Sequence, residues 1–282
     1  MFRIRTPAKI NLALEVIGKR PDGFHDIKSV IQSISLYDEL VIEHAEKILF
    51  KCESDDIPED NLVTRAAILL KESQKYGGGA KINLKKGIPV SGGLGGGSSD
   101  AAATLIGLNE VWNLGLHETD LMQLAARLGS DVPFFIKMGT ALVEGRGEII
   151  NSLPGLKSHW MVLMAPAFAV SGNKTASMYA NLIPSDFTDG SRTQGMASTI
   201  KNGKGLDTNL LFNVFDRAAR EHLPGVEEGF ERFISAGAEY VHVAGSGPAI
   251  FALIEGRNIA ERLIKALRAG DMTGKYLACQ FT

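Results

Sequence analysis

Pro89-Val90-Ser91-Gly92-Gly93-Leu94-Gly95-Gly96-Gly97-Ser98-Ser99 decides how this chain is read. Five glycines fall in six successive positions, between an alternating stretch (Ala80-Lys81-Ile82-Asn83-Leu84) and a helical pattern over 99–112. The first has the period and residue types of a strand. Glycine takes positive φ and lets backbone amides close on an anion. The helix start adds unsatisfied N–H groups and the favourable end of the helix dipole. A cradle for phosphate explains this composition at a strand–helix junction better than a hinge or a capping turn does. Ser98 and Ser99 bring hydroxyls that can cap the helix, donate to phosphate or help to hold Mg²⁺. No Gly-Lys-Ser/Thr follows, so this is not the P-loop of the large NTPase class. GxGxxG fails too, because from Gly93 or Gly95 the last position is Ser98 or Asp100. The HRD and DFG signatures of protein kinases are absent from the sequence.

The rest of the composition is ordinary, which makes the loop more informative. Of 282 residues, 45% are hydrophobic and 22% charged, excluding a disordered or fibrous chain. Glycine numbers 31, and nine of these fall between Gly77 and Gly97, so the excess marks a site. Lys and Arg total 30 against 32 Asp and Glu, for a net charge of −2. That argues against a nucleic-acid binder relying on phosphate neutralisation. The longest apolar run, 160–170, is interrupted by Pro166 and falls short of the ~18 residues that span a bilayer. The N-terminal residues lack the apolar core of a secretory signal. Cys52 and Cys279 are far apart, with no CxxC, and fit a reducing cytoplasm better than a disulfide framework or structural zinc.

At about 150 residues per domain, the length points to two domains. A composition shift after Pro154 places the expected boundary near 152, giving 1–152 and 153–282. The first fifty residues read as several short strands. Asp60 then stands as the expected N-cap of a helix carrying Leu62, Val63, Ala66, Ala67, Leu69 and Leu70. Further helices are expected over 119–128, 224–236 and 259–267, and strands over 159–166, 240–244, 249–254 and 276–281. The tail thus reads α-β-β-α-β, the order of a split βαβ sandwich. Residues 184–205 are polar and without period, and read as a long loop.

Three more stretches bear on chemistry. Pro7-Ala8-Lys9-Ile10-Asn11-Leu12 places Lys9 and Asn11 on one strand face; the alternative is an edge lysine reaching solvent. Gly129-Ser130-Asp131-Val132-Pro133 offers an acid beside a reacting hydroxyl, or simply a helix N-cap ahead of a first-turn proline. Ala244-Gly245-Ser246-Gly247-Pro248 offers a second backbone surface for phosphate, or only a tight hairpin turn. Together, a phosphate loop, a lysine, an acid and a second glycine turn are the parts phosphoryl transfer needs.

In this order, PAKINL, PVSGGLGGGSSDAAA and VAGSGPAIFAL resemble the three motifs of the galactokinase–homoserine kinase–mevalonate kinase–phosphomevalonate kinase (GHMP) superfamily. The resemblance runs from Pro7 to about Leu253. It implies an α+β, two-domain fold, an N-terminal ribosomal-protein-like α/β domain followed by a ferredoxin-like split βαβ domain. It also implies ATP with Mg²⁺ and a small-molecule alcohol as acceptor. Gly18-Lys19-Arg20-Pro21-Asp22-Gly23-Phe24-His25, Glu59-Asp60-Asn61-Leu62 and Glu144-Gly145-Arg146-Gly147-Glu148 resemble one branch. That branch phosphorylates the 2-hydroxyl of a cytidine-diphosphate derivative of methylerythritol, in the non-mevalonate isoprenoid route.

The resemblance assigns residues one by one. Lys9 and Asp131 match the catalytic pair, with Lys9 holding Asp131 ionised and offsetting phosphoryl charge. Pro89, Val90, Ser91, Gly92, Gly93, Leu94, Gly95, Gly96, Gly97, Ser98 and Ser99 match the ATP phosphate loop. Asn61 and Lys86 fall where the family contacts adenosine. Asn11, Phe24, His25 and Thr175 fall on the acceptor side, where Phe24 and His25 grip the cytosine. Phe24 stands where tyrosine is usual, keeping the stacking face without the hydroxyl. No residue set for the metal can be read, and the oligomeric state is left open.

Overall fold

A computed structural model describes residues 1–54, 57–167, 174–269 and 273–282. In chain order, β1 (Phe2–Lys19), β2 (His25–Ala45) and β3 (Leu49–Cys52) precede α1 (Leu62–Ser73) and β4 (Gly79–Lys85). Then come α2 (Gly96–Val111), α3 (Glu118–Leu128), α4 (Val132–Lys137), β5 (Thr140–Gly145), β6 (Ile149–Ser152) and β7 (Trp160–Pro166). The remainder is α5 (Lys174–Ala180), α6 (Ser191–Lys201), β8 (Phe212–Asn213), α7 (Asp216–His222), α8 (Val226–Ser235), β9 (Val241–Val243), β10 (Ile250–Ile254), α9 (Arg257–Arg268) and β11 (Gly274–Gln280).

The chain forms two compact units, each assembled from three stretches. The first comprises Met1–Ala8, Leu36–Val90 and Gly95–Met138; the second comprises Lys9–Ser35, Ser91–Leu94 and Gly139–Thr282. In the first unit β4 pairs antiparallel with β2 and parallel with β3. α1 buries Val63, Ala66, Ala67 and Leu70. α2 is buried on nearly every side, and its run Ala101, Ala102, Ala103 keeps its neighbours close. Burial of such apolar surface stabilises the unit by about 25 cal/mol per Å².

In the second unit β5 pairs antiparallel with β2 and β6, and β1 pairs parallel with β8 at Ala13 and Leu14. A separate four-stranded sheet has the order β11-β7-β10-β9, antiparallel throughout. With α8 and α9, this is the split βαβ arrangement expected for the tail. Its core gathers Val162, Met164, Phe230, Phe233, Val243, Ile250, Ala260 and Leu263.

The structure departs from the sequence reading at three places. The short strands expected up to residue 45 are two long ones, β1 with 18 residues and β2 with 21, while β3 from Leu49 is short as expected. Polar residues within them face partners that sequence period does not reveal. Asn61 caps α1 in place of Asp60, because its side chain accepts from Val63 N and Thr64 N while Asp60 pairs with Arg65. Residues 184–205 hold a 3₁₀ turn and α6, which buries Thr193, Met196, Ala197 and Ile200 at helical spacing. The last three residues of the apolar run 160–170 lie outside the described residues, as do Ser171, Gly172 and Asn173 ahead of Thr175. Among the described residues, no helix is long and apolar enough to cross a membrane.

Candidate active site

In the second unit, Lys9 and Asn11 project from one face of β1, and each is only 4% exposed. Lys9 Nζ donates to Asn11 Oδ1 at 2.8 Å, Asn11 Nδ2 to Ser29 Oγ at 2.7 Å, and Ser29 Oγ to Ala13 O at 2.6 Å. The lysine is thus buried in a hydrogen-bonded relay, and the solvent-reaching alternative is excluded. Its own backbone N–H donates to Leu94 O at 2.9 Å, tying the glycine stretch to the strand.

The same unit joins the two glycine segments. Ala249 N donates to Gly92 O at 3.1 Å. Gly93 sits at φ +82°, and a Cβ there would lie 2.0 Å from Ala244 O and 2.9 Å from Gly247 O. Only glycine allows that approach. Gly245, at φ +55°, would set a Cβ 3.1 Å from Lys9 Nζ. The 244–248 segment is therefore more than a hairpin turn: it is packed backbone to backbone on the 91–94 turn. Lys174 Nζ donates to Ser91 O at 3.0 Å and also to Gly247 O. Burial, and then the charge of Lys9, bring its ammonium down to about 8. Beside it, Thr175 Oγ1 lies 3.4 Å from Ser246 Oγ.

The rest of the glycine stretch belongs to the first unit. Gly95, at φ +71°, is the N-cap of α2, and Gly96, Gly97 and Ser98 follow in the first turn without a side-chain cap. The N–H groups of that turn are the kind that receive anions. Ser99 Oγ is buried and has no hydrogen-bond partner. Beneath the loop, Lys86 Nζ meets Asp38 Oδ2 at 2.5 Å and Asp100 Oδ2 at 3.0 Å. Asp38 Oδ1 also accepts from Gly87 N at 2.6 Å and Ile88 N at 2.8 Å. Burial opposes the charge of Lys86, but the two carboxylates outweigh it and hold the ammonium above the ordinary lysine value. Burial pushes Asp100 up to about 7 against the pull of Lys86. A Cβ on Gly96 would lie 3.2 Å from Lys86 Nζ, so the lysine supports the loop from below. Asn61 spends its side chain on its own turn: Oδ1 caps α1, and Nδ2 donates to Pro58 O and Glu59 O.

Asp131 occupies the N-cap position of α4, with a proline in the first turn, yet its side chain makes no capping hydrogen bond. The N-cap alternative is thus met in position but not in side-chain hydrogen bonding to α4.

Also within the second unit, His25 stacks on Tyr179 at 4.7 Å between centroids and 18° between planes. Phe187 approaches its edge at 6.1 Å. Burial, and then the charge of Lys19, hold His25 below the ordinary histidine value, so it is neutral at pH 7. Phe24 is 53% exposed, and the Arg146 guanidinium lies 4.8 Å from its ring centroid. Sequence reasoning missed Lys174, Tyr179, Asp38 and the pairing of Arg146 with Phe24. Lys174 was findable as the neighbour of Thr175; Asp38 sits mid-strand with no local signal.

The family model described as "GHMP kinases N terminal domain" matches residues 61–139, and "GHMP kinases C terminal" matches 198–270. A 4-diphosphocytidyl-2-C-methyl-D-erythritol kinase of Dehalococcoides mccartyi is 42% identical over 264 residues, 93% of each chain. The protein of that name from Listeria monocytogenes is 41% identical over 273 residues, 94% of this chain and 91% of the other. A solved 4-(cytidine 5'-diphospho)-2C-methyl-D-erythritol kinase superposes with TM-score 0.82 at 32% identity, covering 99% of both chains. Homoserine kinase from Cytophaga hutchinsonii, at 18% identity and TM-score 0.75 over 98% and 93%, shares the fold. The chain belongs to the GHMP kinases, with their two-domain mixed α and β fold, and is an ATP-dependent small-molecule kinase.

Proposed function

We propose that this kinase transfers the γ-phosphate of ATP to the 2-hydroxyl of 4-diphosphocytidyl-2-C-methyl-D-erythritol, in the non-mevalonate supply of isoprenoid precursors. The observation that carries the reading is the buried Lys9–Asn11 pair, bonded through Lys9 N to the glycine loop. Lysine is almost never so buried unless it is paired, and here Asn11 pairs it beside the loop.

An alcohol is a poor nucleophile at pH 7. Asp131 accepts the proton of the 2-hydroxyl as its oxygen bonds to the γ-phosphorus, and the bond to the β,γ-bridging oxygen breaks to release ADP. Lys9 offsets charge on the transferred phosphoryl oxygens, and Asn11 orients Lys9. The backbone of 89–99 holds the phosphates, braced from beneath by Lys86, and the turn that Asn61 caps stands on the adenosine side. His25 and Phe24 take the cytosine, and Thr175 stands beside the acceptor. A magnesium ion would supply neutralisation of the phosphate charge. Among the described residues there is no group of three His, Cys, Asp or Glu side chains to hold it. Ser98, in the first turn of α2, would be the residue of this chain to offer it a hydroxyl. Cys52 and Cys279 are free thiols, and we place the protein in a reducing cytoplasm on that ground.

Phosphorus NMR of the product tests this reading. One new phosphomonoester coupled to carbon 2 of the methylerythritol, formed one-to-one with ADP, is expected. Phosphate on another hydroxyl, or none transferred, would overturn it.

A further inference from the structure

We propose that Lys174 is a positioning residue of the kinase: its ammonium straps the Ser91 carbonyl of the first glycine turn to the Gly247 carbonyl of the second. The inference rests on reading the chain as an ATP-dependent kinase whose 89–99 backbone holds phosphate.

An ammonium has three donors and no acceptor, so it can serve several carbonyls at once. Lys174 opens α5, 83 residues from Ser91 and 73 from Gly247, so it joins segments that the chain itself does not. Ser91 needs such a restraint. Its φ is +58°, a left-handed conformation that residues with side chains rarely adopt. Such conformations persist where their surroundings hold them, and the bond from Lys174 to the Ser91 carbonyl is a hold of that kind. In a trans peptide the carbonyl and the next N–H point in opposite directions. Pinning Ser91 O therefore fixes where the Gly92 N–H points, at the start of the run that receives phosphate.

The other end of the strap has its own reason. The residue after Gly247 is Pro248, which has no N–H, so the Gly247 carbonyl is the sole hydrogen-bonding group of that peptide. Gly93 crowds this oxygen from one direction, where a Cβ would come within 2.9 Å, and Lys174 donates to it. Both described partners of Lys174 are neutral carbonyls, while Lys9 is near enough to repel it. Two like charges brought together in a poorly solvated place favour the arrival of an anion. Lys174 thus fixes the loop before ATP binds and adds positive charge where the phosphates settle.

Steady-state kinetics with ATP and the cytidine-diphosphate acceptor, plus calorimetry of ATP binding, test the strap. Wild type, Lys174→Met and Lys174→Arg are compared, with thermal midpoints recorded for all three. Lys174→Met is expected to weaken ATP binding tenfold or more while the acceptor KM stays within about twofold. Lys174→Arg is expected to recover part of the loss, because a guanidinium presents N–H groups to two acceptors at once. Should the Met variant not fold, Lys174→Gln is read in the same way. ATP binding within twofold of wild type in the Met variant would overturn the proposal. So would an equal loss for both substrates that tracks a lowered midpoint, the mark of a merely structural lysine. A wild-type protein that binds no ATP would instead overturn the kinase reading itself.

Discussion

His25 lies face to face with Tyr179, the two rings 4.7 Å apart and inclined by 18°. A neutral imidazole backed by a stacked phenol, with Phe187 at its edge, is held in one orientation and can present a ring nitrogen to a base edge. Phe24 next to it is exposed, with Arg146 over its ring, and offers an aromatic face to a flat ligand.

On the proposed reading, a base pocket at Phe24 and His25 sets acceptor choice. Phe24→Ala and His25→Ala are expected to raise the KM for the cytidine substrate by roughly 10- to 100-fold, as losses of ~1–3 kcal/mol imply. ATP binding should not change, and Phe24→Tyr should be mild. Calorimetry with each ligand separately checks this; a parallel loss of ATP binding would count against a dedicated base pocket.

The glycines of the loop are not equivalent. Gly93 cannot carry a Cβ without meeting the Ala244 carbonyl, and Gly95 is left-handed at the start of α2. Gly97 has only Leu62 Cδ1 within reach, at 3.7 Å. Gly93→Ala and Gly95→Val should weaken ATP binding tenfold or more. Gly97→Ala should fold with stability equal to wild type or higher by up to ~1 kcal/mol. If ATP binds all three variants as it binds wild type, the loop is a structural hinge.

Asp131→Asn tests the base. Thermal midpoints recorded beside turnover separate a loss of folding from a loss of chemistry. Turnover should fall by ~10²–10⁴ with ATP affinity unchanged. Turnover within about tenfold of wild type would remove Asp131 from proton transfer.

Lys174 gives stability a pH dependence whose sign is fixed. Its folded pKa is about 8, lowered by burial and by Lys9 from an ordinary 10.5. The unfolded chain holds that proton to higher pH, so stability rises as pH climbs from about 8 towards 10.5. Urea unfolding at pH 7.5 and 9.5 should show wild type gaining on Lys174→Met by on the order of 1–2 kcal/mol. A difference that stays constant, or moves the other way, would contradict the lowered value.

Local signals carried much of this into the sequence. The glycine stretch at its strand–helix junction and the α-β-β-α-β tail rest on composition and period over a few residues. Long-range pairings did not show. β1 and β2 looked broken because buried polar residues such as Asn11, Ser29 and Gln32 interrupt the alternation, and their partners lie far along the chain. Asp38, which binds Lys86 and the Gly87 and Ile88 amides, is invisible for the same reason. α6 was missed because its apolar residues are few and Thr193 faces inward, where its N–H reaches the buried Glu15. Lys174 became legible only once two separate glycine turns met at its ammonium.

ADP release, measured by a coupled assay with purified protein and ATP, tests the central claim most directly. The acceptors are 4-diphosphocytidyl-2-C-methyl-D-erythritol, free methylerythritol, mevalonate and homoserine, each at the same concentration. The account predicts turnover with the cytidine-diphosphate compound and at least a hundredfold less with the other three. Comparable turnover of free methylerythritol, mevalonate or homoserine would contradict it, and would make this chain a kinase of another acceptor.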